Sequence, residues 1–383
     1  MNEDDAARWL GERGKEMERE LAELVNQNSF TDNVEGGRKV GAMLASRTFA
    51  IAGLVKKEIA SARFADHLAF STRGDATKNP IALVGHLDTV FPPGTFEGFK
   101  RDGDLARGPG VLDMKGGLVV VAYALRAIAE TAGLDAIAPV RLAIVADEEV
   151  GSPEGQRVIR DAIAGATGAL VFEAGRKGDA IITRRKGTGM MTATATGVAA
   201  HAGNNHKEGK NAIWAIARFI DRAQQLTDYA RGVTVNVGIV SGGTSKNTVP
   251  DRAECQLDLR FETIADGEKL IGDLRAIAAS HGVDGVSIEA RGGVARQPLE
   301  RTDASVALMN AYAKCAIESG LGGGEASLIG GGSDASTSFA MGIASIDGLG
   351  PRGIGFHTKD EQIEIATLVI KAQALARFLL RWK

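Results

Sequence analysis

The chain has 383 residues, more than one hydrophobic core comfortably serves, so two domains are expected. It is 44% hydrophobic and 24% charged, as globular proteins are; its net charge of −3, with no long basic run, gives no electrostatic support for a nucleic-acid or membrane-surface partner. Cys255 and Cys315 are too few for a disulfide framework or a CxxC metal site, and both sit in apolar patterns that predict buried free thiols.

The acidic start, MNEDDAARW, carries no apolar signal core, and no apolar run approaches the roughly 20 residues that span a bilayer, so a cytoplasmic protein is expected. Residues 3–27 have helical periodicity, with Trp9, Leu10, Met17, Leu21, Leu24 and Val25 on the apolar side. From 80 to 175, the short apolar runs IALVG (81–85), VRLAIVA (140–146) and GALVF (168–172) flank the helical stretch KGGLVVVAYALRAIAE. Apolar runs without polar alternation read as strands buried on both faces. An α/β domain with a mixed, mostly parallel sheet flanked by helices follows.

Near Lys186 the pattern changes. Strand-like 188–197 is followed by a helix over 211–226, a strand over 233–240 and RAECQLDLRF (252–261), in which Ala253, Cys255, Leu257, Leu259 and Phe261 share one face. A helix over 266–281 and a strand over 284–290 complete the order β-α-β-β-α-β, a ferredoxin-like α+β unit. The expected domains are 1–186 with 297–383, and an inserted 187–296. A helix over 303–319, the Gly-rich GGEASLIGGGSDAS, strand-like GIASIDGLG and a final helix from Ala366 return to the α/β pattern.

The candidate chemistry lies at strand ends. His86 and Asp88, in GHLDTV, are i and i+2 of an extended segment and share a side, so Asp88 is placed to orient the imidazole. Taken alone, a strand-end histidine beside a surface aspartate fits equally. Asp113, in ARGPGVLDMKGG, either bridges two cations or caps the following helix. Asp147, Glu148 and Glu149 are adjacent carboxylates that repel unless solvated or balanced by cations. Glu173 in FEAG and His357 in GFHTKDE complete the set. In an open parallel sheet, ligands bind beyond the carboxyl ends of the strands, which is where His86, Glu149 and Glu173 fall. Two imidazoles and three carboxylates without a thiolate suit Zn²⁺ or a related divalent ion, and five ligands suit a pair of metals about 3.5–4 Å apart.

These motifs resemble the dizinc aminoacylase/carboxypeptidase amidohydrolases of the peptidase clan MH type. GHLDTV, GPGVLDMKGG, ADEEVGS, FEAG, AAHAG, GGGSDAS and GFHTKDE occur in that family's order over nearly the whole chain, and the glutamate carboxypeptidase branch is most similar. The resemblance implies two Zn²⁺ per subunit, with Co²⁺ or Mn²⁺ as substitutes. It assigns His86 and Glu173 to one metal and Glu149 and His357 to the other, with Asp113 as the bridge, a cis Asp113–Met114 peptide bond, Asp88 as orienter and Glu148 as general base.

For the inserted domain the resemblance implies a homodimer, with His201 of AAHAG reaching a partner's site to stabilise the oxyanion. A hydrogen-bonded turn histidine is the bland reading of His201. Asn247, Arg260, Gly331 and Gly332 resemble substrate-contacting positions, while Arg291 and Arg296 compete with Arg260 for a substrate carboxylate. The implied activity is exopeptidase release of a C-terminal amino acid, glutamate being one candidate, from a small peptide or N-acyl amino acid. A deacetylase or desuccinylase is the alternative, and a non-catalytic binding protein the outside one. His67, His206, His281 and Lys115 read as surface or structural.

Overall fold

The structure, a computed structural model, describes residues 3–383. It divides into two compact units: the residues up to Thr183 with Arg301–Leu328 and Ser333–Lys383, and Arg184–Glu300 with Ile329–Gly332. The second reaches beyond the expected 187–296 because Arg185 and Leu299 exchange backbone hydrogen bonds and the Lys186 N–H donates to the Ile329 carbonyl.

The first unit is built on a six-stranded sheet. Its strands are β1 (Leu54–Ile59), β2 (His67–Thr72), β3 (Ile81–His86), β4 (Val140–Val145), β5 (Gly168–Val171) and a short edge strand, Ala344–Ile346, in the order β1-β2-β4-β3-β5 and then the edge strand. β1 and β2 are antiparallel additions; β4, β3, β5 and the edge strand run parallel. Every residue of β3 and β5 is buried, as unbroken apolar runs require. Register positions the site: His86 lies opposite Val145, and Val84 opposite Val171, so the residues just past β4 and β5 fall level with the end of β3. The helix Lys115–Thr131 packs closely on this layer, since a Cβ on Gly117 would lie 2.1 Å from the Phe172 carbonyl oxygen.

The helix expected over 3–27 is two helices, Glu3–Gly11 and Gly14–Asn26. Two glycines of low helix propensity flank the break, and the Arg13 guanidinium donates to the Trp9 carbonyl that a continuing helix would have used. A second sheet, of two- and three-residue strands too short for any pattern to reveal, joins Gly353–Ile354, Gln362–Glu364, Leu105–Arg107 and Lys100–Asp102. It sets the loop leading to Asp113 beside the loop carrying His357, because Gln362 pairs with Arg107 and with Ile354.

The second unit is an antiparallel sheet of β6 (Gly187–Thr196), β7 (Thr234–Gly242), β8 (Arg252–Phe261) and β9 (Ser287–Arg296), in the order β7-β8-β6-β9. Ala253, Cys255, Leu257, Leu259 and Phe261 form one core with residues of the helices Ala212–Gln224 and Ile264–Ala279. Among the described residues no helix is long and apolar enough to cross a membrane.

Candidate metal centre

Five side chains converge at the carboxyl ends of β3, β4 and β5. His86, 1% exposed, directs Nε2 to Asp113 Oδ1 at 3.3 Å and Glu173 Oε1 at 3.7 Å. His357 directs Nε2 to Glu149 Oε2 at 3.0 Å and to the other Asp113 oxygen, Oδ2, at 3.4 Å. Asp113 therefore offers one oxygen to each histidine. Its peptide bond to Met114 is cis.

Asp88 meets His86 Nδ1 twice, through its backbone carbonyl oxygen at 3.1 Å and its Oδ1 at 3.3 Å. Its carboxylate also accepts the Glu148 and Glu149 backbone N–H groups, each at 3.2 Å, and the Thr31 hydroxyl at 2.8 Å. Asp88 thus orients the imidazole through backbone and side chain together, and its carboxylate pins the acidic turn. Within that turn the three carboxylates part company. Asp147 faces the helix Gly155–Ile163, accepting the Glu154 and Gly155 N–H groups, whereas a Glu148 oxygen lies within 4.8 Å of ligating atoms of His86 and Glu173.

The electrostatics are those of a site built for cations. Burial opposes protonation of His86, yet the charge of Glu173 and the bonds to Asp113 and Asp88 hold its proton affinity well above the ordinary imidazole range. Hydrogen bonds to Asp113 and Glu149 lift His357 to about 10. Burial and the neighbouring Asp113 push Glu173 up to about 8 and raise Glu149 as well. Burial also acts to raise Asp113, but its bonds to His357 and His86 outweigh that and leave it below the carboxylate range. Clustered carboxylates here draw in positive charge to offset one another. The raised proton affinity of both imidazoles reflects a surplus of negative charge that divalent cations would equally offset, and the donor set fits such a pair.

The remaining candidates lie in the second unit. His201 is exposed, and its Nδ1 accepts the Gly203 and Asn204 N–H groups, each at 3.1 Å, so the ring proton belongs on Nε2. Asn247 is beside it, its carbonyl accepting the Ala202 N–H. Arg260 makes two parallel 2.9 Å bonds to Asp258, and the exposed Arg291 pairs with Glu289 at 2.7 Å. Arg296 is buried, and a Cβ on Gly332 would lie 2.7 Å from its Cδ; Gly331 accepts a bond from Arg185 at its carbonyl and has room for a Cβ. Close packing therefore demands glycine at 332 and not at 331.

His67 and His281 are buried, each accepting a backbone N–H at Nδ1, while His206 is exposed; Lys115 is buried and donates to the Leu24 and Gln27 carbonyls. Two residues at the site escape sequence reasoning. Thr31 meets Asp88, and Glu361 accepts N–H groups from the Asp113 loop. Their partners are remote in sequence: no pattern marks Thr31, and Glu361, though it ends the motif GFHTKDE, has no role that local spacing reveals.

Fold and site together define a metallohydrolase with an inserted α+β unit. Residues 183–286 match the model of the peptidase dimerisation domain. Carboxypeptidase G2 of Pseudomonas sp. (strain RS-16) is 26% identical over 365 residues, covering 94% of this chain and 88% of the relative. Succinyl-diaminopimelate desuccinylase of Gluconacetobacter diazotrophicus is 26% identical over 321 residues, 79% of this chain and 80% of the relative. A dinuclear metal-binding peptidase of the M20 family from Bacillus subtilis shares the fold with a TM-score of 0.70 at 16% identity, over 96% of this chain and 97% of that one. Residues 183–286 thus carry a peptidase dimerisation domain of M20 type, and the chain resembles hydrolases of amide bonds over most of its length.

Proposed function

We propose that His86 and Glu173 hold one zinc ion, Glu149 and His357 a second, with Asp113 spanning both, and that this pair serves hydrolysis of an amide that releases an amino acid. The observation that carries the reading is Asp113, with one oxygen 3.3 Å from His86 and the other 3.4 Å from His357. Co²⁺ or Mn²⁺ would satisfy the same donors. Bound, two such cations polarise a carbonyl and lower the pKa of a shared water.

The protein's own part is proton handling and orientation. Glu148 takes a proton from the attacking water and delivers it to the departing amine nitrogen. Asp88 keeps the His86 ring aligned through Nδ1. His201 of the partner subunit donates its Nε2 proton to the oxygen of the tetrahedral adduct. The exposed Nε2 and the Nδ1 that accepts two N–H groups support that role.

The substrate in this reading is a small peptide or N-acyl amino acid with a free carboxylate, glutamate being the leading candidate, hydrolysed in the cytoplasm by a homodimer. Arg260, Arg291 and Arg296 are the candidates for the substrate carboxylate, Arg260 and Arg291 pairing with carboxylates two residues away on their own strands. A second reading, N-acyl-amino-acid deacylation, is favoured by the equal 26% identity to a desuccinylase. Turnover on a panel of N-acyl glutamates, N-succinyl and N-acetyl amino acids and dipeptides separates the two. The first expects C-terminal glutamate release to dominate kcat/KM, and preference for N-succinyl or N-acetyl substrates of basic amino acids would sink it.

A further inference from the structure

Glu361 is 1% exposed and plays no part in the mechanism above. Its Oε1 accepts the Leu112 and Asp113 N–H groups at 2.9 and 3.0 Å, its Oε2 accepts the Gly110 N–H at 3.2 Å, and its backbone carbonyl accepts the Gly108 N–H at 3.3 Å. It lies four residues beyond His357 in the same loop. A single side chain therefore stitches the segment carrying Asp113 to the segment carrying His357.

We infer that Glu361 is a positioning residue that holds Asp113 in register with His357, and that binding of the metal shared by Asp113, Glu149 and His357 depends on it. The inference rests on the two-metal reading above. Three donors converging on two oxygens require a carboxylate. A glutamine offers one oxygen, and its amide NH₂ would face a backbone N–H as donor against donor. The His357 loop also needs an external hold. His357 sits at φ 62°, a left-handed conformation unfavourable for non-glycine residues, and Gly355, two residues earlier at φ 82°, leaves no room for a Cβ beside the Asp360 carbonyl.

The test strips full-length wild type, Glu361→Gln and Glu361→Asp with chelator and titrates each with Zn²⁺ alone, reading stoichiometry by native mass spectrometry and affinity by calorimetry. Wild type is expected to take two equivalents. Glu361→Gln should keep the first and bind the second roughly 10–100-fold more weakly, with kcat lost at limiting zinc, regained in excess, and KM little changed. Glu361→Asp, which keeps the charge but withdraws it by one methylene, should be intermediate and decides the matter should Glu361→Gln fail to fold. A merely structural role would lower the metal-free melting temperature and leave both zinc affinities alone; wild-type affinity for both equivalents in the folded variants overturns the inference. Fewer than two equivalents in wild type would instead overturn the two-metal reading.

Discussion

Asp88 shows how much one buried side chain does at this site. It serves His86 Nδ1, two backbone N–H groups of the acidic turn and the Thr31 hydroxyl together. Asp88→Asn keeps the shape but sets an amide against those donors, so zinc affinity should fall by about 10–100-fold, measurable by competition with a chromogenic chelator; unchanged affinity would deny Asp88 its orienting role. Glu148→Ala should retain both metals and lose on the order of 10²–10⁴ in kcat, and near-normal turnover would remove Glu148 as the base. At this scale the sequence was informative where chemistry coincides with a strand end, as for His86, Glu149 and Glu173. It was silent on Thr31 and gave no role to Glu361, the last residue of GFHTKDE, because their partners lie 57 and about 250 residues away and a long-range hydrogen bond leaves no local trace.

Among elements, the buried runs of β3, β4 and β5 were readable because strands covered on both faces must be apolar along their length. The small antiparallel sheet that aligns the loops of Asp113 and His357 was not, since strands of two or three residues have no period. The segment leading into it is anchored by Asp179, which is buried, accepts two bonds from Arg352 and lies 3.3 Å from the buried Lys371 amine. Asp179→Asn leaves that ammonium without its counter-charge and should cost about 3–5 kcal/mol in chemical denaturation, and a loss below 1 kcal/mol would contradict this. Burial acts to raise the Asp179 pKa, but bonds from Arg352 outweigh it and hold the carboxyl below its ordinary 3.8. The pair's contribution is therefore complete above about pH 4 and disappears as pH falls through the depressed folded value. Melting temperature should drop more steeply below pH 4 in wild type than in Asp179→Asn, and parallel curves would refute the linkage.

For the molecule as a whole, the β-α-β-β-α-β order identified the second unit because its strands alternate and its helices are long enough to show a period. Its edges were not legible, since which strand lies outermost depends on pairing, not on order. Edge strand β7 exposes Ile239 and Val240, and the helix beside it exposes Ile213 and Trp214, the last at 54%. Apolar side chains along the unpaired edge of a strand are what the proposed second copy would cover. Trp214→Glu with Val240→Lys should yield a monomer in light-scattering chromatography and lower kcat with it, because His201 is then withdrawn; a fully active monomer would contradict the proposed role of His201. Two metals sharing Asp113 are the centre of the proposed function. The most direct measurement titrates chelator-stripped enzyme with zinc while following both bound metal and hydrolysis of an N-acyl amino acid. Activity is expected to rise to a plateau at two equivalents per chain. Saturation at one equivalent, or turnover in the stripped protein, would contradict it.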